Sequence, residues 1–200
     1  MLMRMPARPL RPGSAVAVHH IATVSGGPVA VPDPERLVHL QFRRFAGCPV
    51  CHLHLRSVVR RHAEIEAAGV REVVVFHSPA EELRRHTGDL PFAVVADPEK
   101  RLYAEFGVES APRALLSPRA WGPVIGAVLR GGWEVVRGRE RLPAADQPGG
   151  RLGLPADFLI GTDGRVLAAK YGEHAYDQWP VDELLHLASS HRPAGRPPVR

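Results

Sequence analysis

The only two cysteines of the chain, Cys48 and Cys51, lie three residues apart where one sequence pattern changes to another. Before them, residues 37–45 alternate between apolar and polar side chains, which is typical of a β-strand. After them, apolar residues recur at helical spacing as far as residue 68, and Gly69 predicts the end of that helix. Two thiols so spaced at a helix start are close enough to form a disulfide, and the free N–H groups of the first turn stabilise a thiolate. The motif therefore predicts thiol redox chemistry at a strand-to-helix junction.

Composition limits the other functions that the chain could have. At 200 residues and 44% hydrophobic content it can form one substantial core, which we place in a domain at residues 15–190. Residues 1–14 and 191–200 are rich in Pro, Arg and Gly, and we expect them to be disordered tails. Their six arginines exceed the net charge of +5, so the domain between them is close to neutral. We therefore expect no nucleic-acid partner.

The sequence also limits the compartment. No apolar run approaches the roughly twenty residues of a membrane span, so we expect no membrane partner. Proline and glycine interrupt the N-terminal segment where a secretory signal would be continuously apolar. We expect a cytoplasmic protein, and in a reducing compartment one close cysteine pair is more often catalytic or metal-binding than structural.

Strand and helix patterns alternate along the rest of the chain. A turn signal at residues 25–28 predicts a short leading hairpin. The β-branched run at 70–76 is typical of a strand buried on both faces, and a capping box at 78–81 opens a helix. The further predicted elements are a strand at 92–96, a helix that begins at residues 97–99 and ends at Gly107, a hairpin with strands at 158–160 and 165–170, and a last helix at 180–190. This alternation predicts an α/β fold with a helix-covered sheet.

Residues 110–153 interrupt the alternation. Four apolar residues there have helical spacing: Trp121, Ile125, Val128 and Leu129. We interpret the segment as a helical insertion that serves as a lid, as core packing or as a dimer contact.

Several segments together resemble the AhpC/TSA superfamily, whose members have a thioredoxin-like fold. Residues 90–98 and 101–108 resemble the peroxiredoxin strand that ends in Asp and the helix that ends in an aromatic-Gly-Val. Residues 157–166 resemble the closing hairpin, and residues 41–51 resemble an atypical peroxiredoxin-like group with a CxxC in the active loop. The resemblance covers about residues 18–190. It implies a peroxiredoxin-type central mixed sheet flanked by helices.

The resemblance implies an antioxidant thiol oxidoreductase that cycles Cys48 and Cys51 between dithiol and disulfide. Its substrate would be a peroxide or a protein disulfide, and its reductant thioredoxin or a low-molecular-weight thiol. No bound cofactor or metal is needed, and a homodimer is left open. We expect Cys48, at the helix entrance, to be the more acidic and accessible thiol and to attack first, as the first cysteine does in thioredoxin-like enzymes. The peroxiredoxin order, in which Cys51 would attack first, is the alternative. A non-catalytic redox sensor or partner-binding module is the alternative function.

Two positions depart from the peroxiredoxin pattern. Peroxiredoxins have Thr three residues before the peroxidatic cysteine, where this chain has Phe45 or Cys48. Their catalytic Arg should precede the closing hairpin, but here only Arg113 and Arg151 are nearby.

The same resemblance implies supporting roles for two prolines. Pro155 stands where thioredoxins have a cis-proline that faces the redox pair, so we predict a cis Leu154–Pro155 bond, with Ala111–Pro112 as a weaker candidate. Pro49, between the cysteines, is the second supporting residue.

The cysteine motif has three other interpretations. Cys51 and His52 complete C-x-x-C-H, the attachment signature of c-type haem, although that attachment normally follows export. A zinc site would need further ligands, but His52 and His54 diverge on a helix. Two buried structural thiols are the third interpretation.

Overall fold

The computed structural model describes residues 9–87, 90–108, 150 and 153–191. Its strands are β1 (His19–Ala22), β2 (Pro28–Val31), β3 (Leu37–Phe42), β4 (Val70–Phe76), β5 (Ala93–Ala96), β6 (Ala156–Ile160) and β7 (Val166–Tyr171). Its helices are α1 (Pro49–Arg60), α2 (His62–Ala67), α3 (Ala80–Thr87), α4 (Arg101–Glu105) and α5 (Val181–Ser190). The predicted order of strands and helices is confirmed.

Five of the strands form one mixed sheet in the order β5-β4-β3-β6-β7. The pairs β3–β4 and β4–β5 are parallel, whereas β3–β6 and β6–β7 are antiparallel. This is the predicted central mixed sheet of a thioredoxin-like fold. The predicted leading hairpin is the separate pair β1–β2, which joins the sheet edge where Val24 N–H donates to the carbonyl of Val94 at 2.9 Å.

The two faces of β3 have opposite chemistry because successive side chains of a strand point to opposite faces. Val38, Leu40 and Phe42 belong to an apolar core with Val29 and Val31 of β2, on the same face as α4. Their neighbours in sequence, which are polar, point to the face that carries α1 and α5. These neighbours are His39, Gln41 and Arg43, all fully buried.

Two predicted helices differ in detail from the observed ones. The helix predicted after Cys48 divides into α1 and α2, because Arg61 leaves the helical conformation at φ −117° and ψ 18°. The helix predicted to begin at residues 97–99 starts instead at Arg101. Lys100 has the left-handed φ of 55°, and the Asp97 carboxylate accepts hydrogen bonds from the N–H groups of Arg101 and Leu102 at 2.9 and 2.8 Å. Asp97 thus caps the helix from four residues upstream.

Residues 10–14, which we expected to belong to a disordered tail, are hydrogen-bonded to the domain. Leu10 N–H donates to the Tyr171 hydroxyl at 2.6 Å, and Gly13 N–H donates to the Val166 carbonyl at 2.8 Å. These bonds tie the segment to β7. Residues 1–8, the tail from 192 and the predicted insertion, apart from residues 150 and 153, lie outside the described residues.

None of the helices that the structure describes is long and apolar enough to cross a membrane.

Candidate active site

The loop between β3 and α1 turns sharply and places Cys48 at the helix start. Gly47 has a φ of 72°, a conformation that glycine adopts without strain, and Cys48 N–H donates to the Phe45 carbonyl at 3.2 Å. Cys48 is the N-cap of α1 and Pro49 stands at the start of the helix, where a missing N–H costs nothing. The Cys48 side chain therefore lies at the positive end of the helix dipole.

Both cysteines are free thiols and both are buried, with exposures of 2% for Cys48 and 1% for Cys51. Burial by itself raises the pKa of Cys48, but the Cys51 hydrogen bond, the Arg44 charge and the backbone N–H groups of Cys51 and Val50 together lower it to about 6. Burial raises the pKa of Cys51, and the hydrogen bond and charge of Cys48 raise it further. At neutral pH the site holds a Cys48 thiolate and a Cys51 thiol. This is the order of acidity that we expected, but the expected difference in accessibility is absent.

Arg44 supplies a cation that our sequence analysis did not consider. Its guanidinium Nη1 lies 3.8 Å from Cys48 Sγ, its side chain is only 4% exposed, and it also packs over the Phe45 ring at 5.3 Å. The arginines near the closing hairpin, Arg113 and Arg151, lie outside the described residues. The sequence signal that could have pointed to Arg44 is Gly47, because a glycine turn there brings the loop before it close to the start of α1.

His77, just past the end of β4, is a second residue that the sequence analysis missed. Its backbone N–H donates to the Arg44 carbonyl at 3.2 Å. The hydroxyl of the next residue, Ser78, accepts from the backbone N–H of Ala46 at 3.0 Å. The imidazole is 1% exposed and contacts the Tyr103 ring edge-on at 5.7 Å. Neither ring nitrogen has a hydrogen-bond partner among the described residues. Burial, more than the charges of Lys100 and Arg44, lowers the pKa of His77 to about 4.

A cluster of five buried polar side chains lies on the same face of the sheet as α1. His39 Nδ1 lies 2.9 Å from Glu72, and its Nε2 lies 3.3 Å from Asp157. Arg43 donates to Asp157 at 2.7 Å, and Gln41 bridges Arg43 and Glu72. Burial lowers the pKa of His39, yet the two carboxylates outweigh burial and raise it to about 9. Two cations and two carboxyl groups therefore lie together beneath the site, and they join β3, β4 and β6.

Pro155 does not have the predicted conformation. The cis peptide bond among the described residues is Val31–Pro32, so the prediction of a cis Leu154–Pro155 bond is wrong. The Pro155 carbonyl accepts from Gly172 N–H at 2.8 Å, which continues the β6–β7 pairing one residue beyond Ala156. The weaker candidate, Pro112, lies outside the described residues.

The structure also places the histidines of the alternative interpretations. His54 is buried on α1, where burial first of all lowers its pKa to about 3, and His52 is half-buried. Within the described part of the chain, no group of three or more His, Cys, Asp or Glu side chains is arranged to hold a metal ion.

Comparisons with solved structures agree with this fold. The peroxidoxin BcpB of Mycobacterium tuberculosis is 17% identical, with a TM-score of 0.64 over 92% of this chain and 99% of that chain. A peroxiredoxin-like protein from Aquifex aeolicus is 14% identical, with a TM-score of 0.60 over 92% and 90%. StoA of Bacillus subtilis is 16% identical, with a TM-score of 0.53 over 87% and 98%. At these identities the likeness shows the fold.

The family of this chain is shown by its sequence. No curated protein matches the chain. The model of the AhpC/TSA antioxidant enzyme family matches residues 57–174, more than half of the chain, in a segment that begins after Cys51. The chain therefore belongs to the AhpC/TSA antioxidant enzyme family and is a thiol-dependent oxidoreductase with a peroxiredoxin-like form of the thioredoxin fold.

Proposed function

We propose that this protein reduces small hydroperoxides with Cys48 as the attacking thiolate and Cys51 as the resolving thiol. The observation that carries the proposal is the pairing of an acidic Cys48, 3.8 Å from a buried guanidinium, with a Cys51 whose thiol keeps its proton. A thiolate is the nucleophilic form of cysteine, and a neighbouring cation keeps it ionised at neutral pH.

The cycle has two steps. In the first, the Cys48 thiolate attacks one peroxide oxygen, so that an S–O bond forms and the O–O bond breaks. Sulfur is oxidised to a sulfenic acid, and the other oxygen leaves as hydroxide or alkoxide, which takes a proton. In the second, Cys51 attacks the Cys48 sulfur and water leaves, which gives the Cys48–Cys51 disulfide. Two electrons from thioredoxin or a low-molecular-weight thiol restore both thiols.

Burial of the site favours a peroxide over a protein disulfide as the oxidant. A protein disulfide must align its two sulfurs with the attacking sulfur, whereas the Cys48 side chain is 2% exposed. Arg44 also supplies a positive charge beside Cys48, as the catalytic arginine is expected to do in peroxiredoxins. We place this cycle in the cytoplasm, where the proposed reductants are maintained.

A coupled assay tests the proposal. Hydrogen peroxide is added to the protein with thioredoxin, thioredoxin reductase and NADPH, and NADPH oxidation is followed. We expect sustained turnover by the wild-type chain, no turnover by Cys48→Ser, and one equivalent of peroxide consumed by Cys51→Ser. A wild-type protein that is oxidised once and not reduced by thioredoxin, glutathione or dithiothreitol would instead be a sensor. Faster reduction of insulin disulfides than of peroxide would contradict the choice of substrate.

A further inference from the structure

We propose that His77 is a catalytic residue that binds the hydroperoxide and stabilises its leaving oxygen beside Arg44. The inference rests on the proposed function and names a group that recognises the substrate. The His77 side chain makes no hydrogen bond with the described residues and is not part of the buried charged cluster.

The geometry brings three separate parts of the chain to one point. A Cβ atom added to Gly153 would lie 3.1 Å from His77 Nε2 and 3.6 Å from Arg44 Cγ. The backbone of Gly153 therefore packs closely against both the edge of the imidazole and the stem of the arginine, and a side chain at residue 153 would press on Nε2. The guanidinium at the other end of Arg44 contacts the Cys48 sulfur. One arginine side chain thus has its guanidinium at the Cys48 sulfur and its stem beside the backbone that His77 Nε2 contacts.

The unpartnered state of His77 is the observation that points to a ligand. Buried polar atoms are nearly always hydrogen-bonded, and an unpaired one costs free energy. Both nitrogens of His77 lack a partner among the described residues although its side chain is 1% exposed. The edge-on contact with Tyr103 holds the ring in place but leaves both nitrogens unused.

The protonation state of His77 suits this role. With its pKa lowered to about 4, chiefly by burial, the ring is neutral at pH 7 and offers one N–H donor and one acceptor nitrogen. When the Cys48 thiolate attacks, the S–O bond forms, the O–O bond breaks and negative charge develops on the departing oxygen. A donated N–H bond stabilises that charge, and the hydroxide or alkoxide then takes a proton from water.

The test compares two reactions of the same thiolate. Oxidation of Cys48 by hydrogen peroxide breaks an O–O bond, whereas alkylation by iodoacetamide does not involve a leaving oxygen. We would measure both second-order rate constants in wild type, His77→Phe, His77→Gln and Gly153→Ala. His54→Phe is the matched control, since His54 is also buried with an unpartnered Nε2.

The expected result is a change in one reaction only. His77→Phe should lower the peroxide rate constant about 100-fold, the loss typical of removing one oxyanion donor, and leave alkylation within about twofold of wild type. Gln carries an amide donor and should restore part of the rate. Gly153→Ala, whose methyl group would press on His77 Nε2 and displace the ring, should lower the peroxide rate in the same selective way. His54→Phe should change neither ratio.

Other outcomes would overturn the inference. An unchanged peroxide rate in His77→Phe, or a parallel fall in both rates, would show that His77 acts only through packing. If His77→Phe does not fold, the two milder variants decide the matter, and unchanged ratios in both would refute the role. A wild-type protein that does not react with peroxide would overturn the proposed function as well, so the two failures are distinguishable.

Discussion

Arg44→Met should raise the pKa of Cys48 by about 2 units. The guanidinium is 3.8 Å from the sulfur and buried. At an effective dielectric constant of about 20, two unit charges about 4 Å apart interact by roughly 4 kcal/mol, or at most about 3 pKa units. The guanidinium spreads its charge over several atoms, and Cys51 and the helix N–H groups still favour the thiolate, so we expect less than that ceiling.

The consequence for reactivity is large because the change spans neutral pH. With a pKa of about 6, roughly nine tenths of Cys48 is thiolate at pH 7. With a pKa of about 8, the fraction falls to roughly one tenth. Arg44→Met should therefore lower the thiolate fraction at pH 7 about tenfold, and the midpoint of the alkylation profile should move from about pH 6 to about pH 8.

The assay is the pH dependence of iodoacetamide alkylation in a Cys51→Ser background, which keeps a hydroxyl donor beside Cys48 and leaves one thiol to react. Arg44→Lys keeps the charge and should fall between wild type and Arg44→Met. Arg60→Met, at an exposed position on α1, is the matched control and should leave the profile unchanged. A Cys48 pKa within half a unit of wild type in Arg44→Met would refute the reasoning and assign the acidity to Cys51 and the helix start.

Three further predictions follow from the site and the buried cluster. One equivalent of peroxide should join Cys48 and Cys51 in a disulfide, seen in peptide mapping as the loss of two hydrogens, whereas two alkylatable thiols after oxidation would contradict this. His39 has a pKa of about 9 in the folded protein against an ordinary 6.5, so its contribution is complete below pH 6.5 and is lost as the pH rises through about 9. Urea unfolding should show a loss of about 3 kcal/mol over that range in wild type but not in His39→Gln. Asp157→Asn should lower the free energy of unfolding by about 3 to 5 kcal/mol, because it leaves buried cations without their counter-charge. The exposed control Asp163→Asn should lower it little. Equal urea midpoints for the two variants would disprove the role of the cluster.

Local sequence patterns determined the elements and the redox pair. The β-branched run at 70–76 predicts β4 with its observed bounds, because a strand buried on both faces needs apolar side chains on both. The change of periodicity at Cys48 likewise predicts a helix start there, and Cys48 is the N-cap of α1. The resemblance to the AhpC/TSA superfamily predicted the mixed sheet, which the structure and the family match confirm.

Only the tertiary structure decided what surrounds the sulfurs. Arg44, His77 and Gly153 come from a loop, the end of β4 and the segment before β6, and no local pattern relates residues so far apart. The alternation of β3 shows that His39, Gln41 and Arg43 share a face, but their burial depends on carboxylates that β4 and β6 supply. Pro155 was predicted to be cis by analogy with thioredoxins, whereas the structure has a trans Leu154–Pro155 bond. Sequence thus sets local conformation through nearest neighbours, and the electrostatics of the site arise only when distant charges are buried together.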